Sequence, residues 1–441
     1  MKPFTPRLGP ARLSVLMPLW TAPALLLSSL SIAFECVLAS ASRGVARDVT
    51  SLSSWARRSG ISMHGSMRWK EHSPGDWGVV LSEPVAKGTV VLKIPRSMVL
   101  DARVIREGVS DEAARDRAVA ALGKFAAHEE NFWIVWRLYE LRSDPGGAFD
   151  PWLDAMPVEF AAFTEAEVDC LPYYSRYAAR YQDEKFEAFC RAAKAMNSGV
   201  FDSSSDGDDA VSQFLWAFRA VNSRFWKTTP KKEHADIIKS TSELVPIGDM
   251  FNHRDPPNCQ MIPEDGDFVT FAYNCDSESG ADADDIDLFI TYGQPANPHR
   301  FLVVFGFPPC VEYMPKLWCH LDYSSTNPHA SKFDEMVFDS QTGAVSATVW
   351  DAVLWELSEP SSLEEYNQTR DEWIVQYRGI LEEVLMNHIE KQLAELRDCS
   401  EEIDRLDKES PNFDIIRRQN DFLTEVFVKV KDNCDNWKST S

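Results

Sequence analysis

Two short apolar runs in this sequence each lead into polar side chains of the kinds that bind ligands or position reacting groups. The first run covers residues 244–247, and the second covers residues 288–290. A buried apolar approach of this kind holds polar groups rigidly at the edge of a core. Asn and His also cap turns, so a turn before Pro256 is the competing interpretation of the first cluster. The polar residues that follow the two runs are Asp249, Asn252, His253 and Tyr292.

The order and spacing of these residues resemble a known enzyme family. The pattern D-M-x-N-H at 249–253, I-T-Y-G at 290–293 and G-F at 306–307 is similar to that of the SET-domain protein methyltransferases of the Rubisco large-subunit lysine methyltransferase type. The resemblance implies a protein-lysine N-methyltransferase that uses S-adenosyl-L-methionine as methyl donor and acts on a protein substrate.

The same resemblance predicts the fold and its domains. It implies an α+β chain in which a SET-type β fold of short strands spans 52–310 and carries a large helical insertion at about 101–240. An all-α, substrate-binding C-terminal domain is expected at 311–441. Before the SET domain, residues 1–41 are interpreted as a targeting segment and 42–51 as a linker or transit-like segment.

Roles for individual side chains come from the resemblance as well. Tyr292 matches the family's catalytic tyrosine. Asp76 stands where the family has the first glycine of a G-x-G turn, which leaves the affinity for the donor open. Phe305 stands where the plant enzymes carry a second tyrosine, so the number of methyl groups added, or the side chain accepted, could differ. The residues implied at the donor are Asp76, Trp77, Gly78, Arg224, Asp249, Asn252 and His253. Those implied along the substrate channel are Ser223, Trp226, Phe251 and Phe305.

Methyl transfer to an amine makes clear demands on such a site. A lysine has a pKa near 10.4, so only about one amine in two thousand is neutral at pH 7. Burial and a neighbouring sulfonium both lower the pKa of the amine, and alignment then contributes most of the rate. We expect Tyr292 to position the amine and bulk water to take the proton. This chemistry requires no metal, and the sequence offers no obvious metal site.

Two other functions remain open at this stage. Relatives of this class methylate histidine, and Phe305 leaves room for that nucleophile. A degenerate SET fold could also serve as a binding module without catalysis, which Asp76 makes conceivable. Binding of the methyl donor distinguishes the non-catalytic binding module, which should not bind it, from the lysine and histidine methyltransferases.

Composition narrows the class of partner. The chain has 441 residues, 44% of them hydrophobic, and a formal net charge of -23. That charge excludes the basic footprint of a generic nucleic-acid-binding protein. An acidic surface favours basic partners such as a protein segment that presents a lysine or a histidine. We expect a monomer. The nine cysteines form no C-x-x-C pair, which indicates mostly reduced thiols.

The first forty residues have the composition of a targeting segment. A basic start precedes an uncharged stretch at 13–34, and small residues at 39–41 resemble a cleavage site. The serine- and arginine-rich segment 40–58 is transit-like, so a signal followed by a transit segment favours a plastid of secondary origin. Secretion and a membrane anchor formed by the uncharged stretch remain alternatives.

Periodicity predicts most of the elements that must position these residues. Folded structure is expected from near Leu52, with a short helix over 54–60 that a glycine closes, and the runs 77–81 and 89–94 are expected to form a strand pair. In the C-terminal part we expect helices at about 369–396, 400–408 and 412–431. The first of these should open on a capping box made by Thr369 and Glu372.

Overall fold

The computed structural model describes residues 49–439 with several internal gaps. The targeting segment predicted for residues 1–41 lies outside the described residues, as do most of the two acidic tracts at 202–209 and 276–287. Within the described ranges, no helix is both long enough and apolar enough to span a bilayer. The gaps are residues 74–75, 158–159, 161, 198–200, 202–206, 229–240, 255, 263–266, 276–284, 294–296, 307–313, 322–326 and 330–334.

The described strands are short and form three small sheets and a separate antiparallel pair. One sheet has the order β1-β4-β10-β9, a second has the order β2-β3-β11-β8, and a third has the order β5-β7-β6. The strands are β1 Ser62–Met63, β2 Met67–Ser73, β3 Asp76–Leu81, β4 Val90–Pro95, β5 Leu100–Asp101, β6 Trp226–Thr228, β7 Thr241–Leu244, β8 Asn252–His253, β9 Cys259–Ile262, β10 Phe268–Tyr273, β11 Ile286–Ile290, and the two paired strands β12 Lys316–Trp318 and β13 Val337–Asp339.

Strands β3 and β4 are both present, but the expectation that they pair with each other is wrong. β3 pairs with β2 and β11, whereas β4 pairs with β1 and β10. The connection at 82–89 is longer than a two-residue hairpin turn, so it does not force adjacent pairing. It carries the chain from one sheet to the next, and each strand buries its apolar side chains against different partners.

A helical segment is inserted between β5 and β6, as the resemblance implied. Its longest apolar helix, α4, buries side chains around most of its circumference from Asn131 to Leu138. The insertion packs α4 against α8 and α3 against α7. Helices of the chain up to this point are α1 Leu52–Arg58, α2 Ala102–Gly108, α3 Glu112–Leu122, α4 Glu129–Arg142, α5 Asp150–Ala155, α6 Glu165–Asp169, α7 Tyr173–Met196 and α8 Gly207–Arg224.

Helices dominate the rest of the chain. The remaining helices are α9 Pro298–Arg300, the π-helical turn Phe301–Phe305, α10 Ala347–Ser358, α11 Leu363–Arg405 and α12 Phe413–Ser439. The helices predicted at 369–396 and 400–408 are one continuous helix, α11. The predicted capping box at Thr369 is also wrong, because Thr369 lies inside α11. The helix begins instead at Leu363, and its N-cap is Ser362, whose side chain accepts a hydrogen bond from the Glu365 backbone N–H.

The C-terminal helices and the strand region share a continuous apolar core. Phe301 of the π-helical turn belongs to the same buried cluster as Leu385 of α11 and Phe422 of α12. Tyr292 and Phe305 pack against this cluster from the side of the strands. The C-terminal helices therefore support the polar end of β11.

Candidate active site

Strand β11 is the element that brings the predicted site residues together. On one side it pairs antiparallel with β3, with Leu288 opposite Val79. On the other side it pairs parallel with β8, so that Phe289 lies opposite Asn252. Tyr292 follows directly after the end of the strand. The residues of β3 and β8 that were predicted to bind the donor therefore flank the strand that leads to Tyr292.

The Tyr292 side chain lies directly beside the β8 segment. Its hydroxyl donates a hydrogen bond to the Phe251 carbonyl oxygen at 2.8 Å, and its backbone N–H donates to Nδ1 of His253 at 3.1 Å. Burial raises the pKa of the Tyr292 phenol to about 12, a shift that Arg224 opposes and that Asp249 and Asp76 reinforce. Because the phenol stays protonated at neutral pH, Tyr292 acts here as a hydrogen-bonding group and is not a base.

Arg224 and Asp249 form a buried pair at the same place. The last helical residue of α8, Arg224, directs Nη1 to the Asp249 backbone carbonyl and lies 3.4 Å from its Oδ2 atom. The Asp249 side chain is fully buried in this pair. Its other oxygen, Oδ1, accepts a hydrogen bond from Nε1 of Trp152 at 3.1 Å. The carboxylate therefore orients Arg224.

Trp152 is a site residue that sequence reasoning missed. It lies on α5 and is fully buried, and the sequence around it carries no functional signal. No short motif joins Trp152 to Asp249, which lies 97 residues further along the chain. Only the tertiary fold shows that an indole N–H reaches this carboxylate.

Gly78 lies where β3 passes closest to Asn252. A Cβ at this position would lie 2.6 Å from Nε2 of His72 and 3.0 Å from Nδ2 of Asn252. His72, on β2, is in turn 3.2 Å from the Asp287 carboxylate. The absence of a side chain at Gly78 therefore lets two polar side chains approach the strand, and His72 is a second neighbour of the site that the sequence did not indicate.

Aromatic rings form two groups near Tyr292 and Phe251. Phe251 stacks on Phe271 with ring centroids 5.2 Å apart, and Trp226 meets the same Phe271 ring edge-on at 5.1 Å. In the second group, the Phe305 ring lies 5.0 Å from the ring of Tyr292. The predicted channel residues Trp226 and Phe251 thus meet through Phe271, a strand residue without a functional signal in the sequence.

The other predicted residues are less directly engaged. The Ser223 hydroxyl donates within its own helix, to the carbonyl oxygens of Arg219 and Ala220. Asp76 is exposed at the start of β3, and its charge contributes to the raised pKa of Tyr292. Asn252 is half-buried, and its amide contacts the Trp77 carbonyl at 3.5 Å.

Neither metal chemistry nor thiol chemistry is indicated in the part of the chain that the structure describes. No group of three or more His, Cys, Asp or Glu side chains there has the arrangement of a metal site. Burial raises the pKa of the Cys259 thiol to about 12, which makes it a poor nucleophile.

Solved structures with a similar fold exist, although the sequence by itself matches nothing. No protein-family model matches it, and a search of curated proteins found no match. The SET domain of LSMT bound to lysine and AdoHcy is 12% identical, with a TM-score of 0.55, over 93% of this chain and 92% of that chain. The SET domain of LSMT bound to MeLysine and AdoHcy is 12% identical, with a TM-score of 0.57, over 88% and 91%.

A third similar structure is Rubisco LSMT bound to AdoMet. It is 12% identical to this chain, with a TM-score of 0.55, over 90% of this chain and 93% of that one. An identity this low shows a common fold and does not transfer an activity. The α+β architecture expected from the motifs is therefore confirmed: a SET-type fold with a helical C-terminal region.

Proposed function

We propose that this protein is an S-adenosylmethionine-dependent N-methyltransferase that modifies a lysine of a protein substrate. The observation that carries the proposal is the hydrogen bond from the Tyr292 hydroxyl to the Phe251 carbonyl, directly before Asn252. It places the proposed catalytic phenol beside the proposed donor-binding segment. The similar structures of LSMT, which were solved with AdoMet, AdoHcy, lysine or methyl-lysine bound, support the same proposal.

The residues of the pocket fit the charge of this methyl donor. Asp76 and Asp249 both act on Tyr292 together with a single guanidinium, that of Arg224. Two carboxylates against one cation give a local charge that favours a net positive ligand, and the donor carries a sulfonium and an ammonium beside one carboxylate. Among the described residues, no group accepts a hydrogen bond from the buried Nε of Arg224. A ligand carboxylate is the natural acceptor for it.

Each residue then has a defined task. Arg224 would hold the carboxylate of the donor, and Asn252 and His253 would hold its adenine and amino-acid ends, largely through backbone groups. When bound, S-adenosylmethionine supplies an electrophilic methyl group on its sulfonium.

Substrate activation falls to the aromatic walls and the phenol. Phe251 and Trp226 on one side and Phe305 on the other exclude water, which lowers the pKa of an entering lysine amine and favours its neutral form. The Tyr292 oxygen can accept a hydrogen bond from that amine and align its lone pair. The displaced proton goes to bulk water, because a phenol with a pKa of about 12 that is already protonated does not accept it.

Labelling of a cell extract tests this function. The full-length protein is incubated with extract proteins and a radioactive methyl donor, and labelled sites are identified by mass spectrometry. We expect new methyl groups on lysine side chains, with no labelling by the Tyr292→Phe variant above background. Labelling at non-lysine residues, or equal labelling by the variant, contradicts the proposal as stated.

Histidine is the second candidate nucleophile, and one observation favours keeping it. Phe305 presents an apolar ring 5.0 Å from Tyr292 where the plant enzymes of the resembling family have a second phenol. A wall without that hydroxyl has no hydrogen bond specific for an ammonium group. The same mass spectra separate the two nucleophiles, because they report which side chain carries the methyl group.

Location and assembly are further parts of the proposal. We propose that residues 1–51 direct the chain through a secretory signal to a plastid of secondary origin, on the basis of their composition alone. A fluorescent fusion of these residues tests that route, and fluorescence outside the plastid contradicts it. We also propose a monomer, which light scattering on the purified chain measures.

A further inference from the structure

The sheet β2-β3-β11-β8 carries the side chains of Asn252 and His253 on opposite faces. Phe289 of β11 lies opposite Asn252 of β8 in a parallel ladder, so these two side chains point to the same face. Side chains alternate between faces along a strand, so Asp287 shares this face and His253 points to the other. The Tyr292 ring lies on the side of His253, with ring centroids 5.2 Å apart. We refer to the face that carries Asn252, Asp287 and Phe289 as the Asn252 face.

A histidine of the neighbouring strand β2 borders the Asn252 face. A Cβ on Gly78 would meet Nε2 of His72 at 2.6 Å and Nδ2 of Asn252 at 3.0 Å. Because both nitrogens approach the same point, they lie at most 5.6 Å apart, the sum of the two distances. The imidazole and the amide come this close because residue 78 has no side chain. His72 is therefore a direct neighbour of a side chain that we propose holds the donor.

The His72 ring is paired with a carboxylate of the Asn252 face. Nε2 of His72 lies 3.2 Å from Oδ1 of Asp287, and both side chains remain partly accessible, at 28% and 35%. Asn258 fixes the strand here, because its side-chain amide donates to the Asp287 carbonyl oxygen and accepts from the Phe289 N–H, both at 2.7 Å. Among the described residues, no group donates a hydrogen bond to Oδ1 of Asp287. Since an ionised carboxylate accepts about four hydrogen bonds, the pair retains acceptor capacity for a ligand.

A second carboxylate on the same side of β11 differs in its partner and in its position. Asp285 is paired with the ammonium group of Lys70 at 3.1 Å. It lies two residues before Asp287 and is therefore further from Phe289, the residue opposite Asn252. The two carboxylates are similarly accessible, at 30% and 35%. Asp285 is thus a matched control for any effect that depends only on negative charge.

We infer that His72 and Asp287 bind the ribose hydroxyl groups of the methyl donor. The inference rests on the proposed function and deepens it, because it assigns the nucleoside part of the donor to two further residues. In that proposal Asn252 and His253 hold the adenine and amino-acid ends of the donor, and the ribose connects these ends. The ribose therefore lies within reach of the polar side chains that neighbour Asn252. Binding on this face leaves the side of Tyr292 to the protein substrate.

The chemistry of the pair fits a ribose better than the other parts of the donor. A ribose offers two adjacent hydroxyl groups, each of which donates and accepts hydrogen bonds. Acidic side chains accept hydrogen bonds from ribose hydroxyls in dinucleotide-binding folds, and an imidazole nitrogen supplies a second partner. Adenine has no such pair of adjacent hydroxyls, and Asp287 would repel the carboxylate of the amino-acid end.

Calorimetry on the full-length protein tests the inference without any catalytic step. The probes are S-adenosylhomocysteine and its 2′,3′-dideoxy analogue, which lacks both ribose hydroxyls. The product is used because it carries no sulfonium, so its binding depends less on the charge of Asp76. We expect the unmodified protein to bind the analogue about tenfold more weakly, as when a hydrogen bond to a charged group is lost.

Variants locate that difference in the proposed pair. In Asp287→Ala, affinity for S-adenosylhomocysteine should fall about tenfold while affinity for the analogue stays unchanged, so that the two ligands bind equally. His72→Gln should reduce the difference to about threefold, because the carboxylate loses the ring that it faces. Asp285→Ala is the matched control and should keep the full tenfold difference.

Several results would overturn the inference. These are equal binding of both ligands by the unmodified protein, a tenfold difference that persists in Asp287→Ala, and an equal loss of affinity for both ligands in that variant. If melting curves show that Asp287→Ala does not fold, an undiminished difference in His72→Gln would overturn the inference instead. Absence of S-adenosylhomocysteine binding by the folded, unmodified protein contradicts the proposed function and the inference with it. Binding without discrimination between the ligands contradicts only the assignment of the ribose.

Discussion

The interactions within the candidate site differ in kind from those within the C-terminal helices. At the pocket, polar contacts link residues far apart in sequence, such as Trp152 with Asp249 and Tyr292 with Phe251. Around Leu385, buried apolar side chains of α11, α12 and the π-helical turn pack against one another. Polar pairing fixes direction and distance, whereas apolar burial contributes stability with little directional demand. Substitutions in the two regions should therefore separate loss of activity from loss of stability.

The largest expected effect is on catalysis. Tyr292→Phe removes the hydroxyl that bonds to the Phe251 carbonyl and, in our proposal, the substrate amine. We expect methyl transfer to fall by about 10²- to 10³-fold, as when one aligned hydrogen-bonding group is lost from an active site. The free energy of unfolding should fall by only about 1 kcal/mol. Methyl-transfer rates and denaturant unfolding of the same variant check both values. A decrease in the free energy of unfolding as large as the increase in the activation free energy would remove the contrast between the two regions.

At Leu385 we expect a large loss of stability with little change in ligand binding. Leu385→Ala leaves a cavity in the cluster shared by α11 and α12 and should lower the free energy of unfolding by about 3 kcal/mol. Affinity for the methyl donor should stay within twofold at a temperature where the variant is folded. Leu363→Ala on the same helix, where the leucine is half exposed, is the control and should change stability by less than about 0.5 kcal/mol.

Glu167 is a polar exception within the helical region. Its carboxylate is buried and accepts hydrogen bonds from the Ser410 hydroxyl, the Thr164 backbone, and the backbone and side chain of Asn412. Burial raises its pKa, but these hydrogen bonds together outweigh burial, and the net pKa is lowered. Glu167→Gln should cost about 2 kcal/mol of stability at pH 7.

The pH dependence of that contribution has a definite sign. Because the pKa of Glu167 is lower in the folded chain than its ordinary value of 4.5, its contribution is fully present above pH 4.5 and is lost as the pH falls through the folded value. Melts at pH 7 and at pH 3 should therefore show the unmodified protein and Glu167→Gln converging in acid. Glu409→Gln is the control, because Glu409 is exposed and lies next to Ser410 in the connection between α11 and α12. Its stability should change with pH in the same way as that of the unmodified protein.

Which parts of this comparison the sequence could predict depends on the range of the interactions. Asp249, Asn252 and Tyr292 lie in short motifs at the ends of apolar runs, so their proximity in the fold could be predicted from pattern and resemblance. The partners that orient them could not. Trp152 and Phe271 have no local signal, because a buried tryptophan or a strand phenylalanine has the same pattern whether or not it contacts a functional group.

The errors in secondary structure have a similar cause. A helix signal within 400–408 was interpreted as a separate element, although α11 continues through it to Arg405. The run at 77–81 was correctly interpreted as a strand, but its partners lie earlier, in β2, and far later, in β11. Pairing between strands distant in sequence depends on which apolar faces are buried together, and single-sequence periodicity does not carry that information.

Trp152→Phe tests whether the polar pairing at the pocket acts on ligand binding. The change keeps an aromatic ring but removes the N–H that bonds to Oδ1 of Asp249, so Arg224 loses part of its support. We expect about tenfold weaker binding of the methyl donor, from leaving a buried acceptor without its partner. Trp216→Phe is the matched control, because that indole donates to the Pro157 carbonyl elsewhere. Equal loss of affinity in both variants would show a general effect of the substitution.

The smallest expected effect concerns Asp76. This exposed carboxylate acts on Tyr292, and it should attract the positively charged S-adenosylmethionine more than its neutral product S-adenosylhomocysteine. Asp76→Asn should therefore weaken binding of the donor by about two- to threefold and leave binding of the product nearly unchanged. Glu83→Gln serves as the control, because it also removes an exposed negative charge, in the connection after β3. Tighter binding of the donor in Asp76→Asn would instead mean that Asp76 repels its carboxylate.

Titration of the full-length protein with S-adenosylmethionine in a calorimeter tests the central claim most directly. The account predicts a single site per chain with a dissociation constant in the micromolar range, as is ordinary for enzyme ligands. It also predicts that binding is weakened when Arg224 is changed to Gln. Absence of measurable binding by the folded, unmodified protein, or binding that Arg224→Gln leaves unchanged, would contradict it.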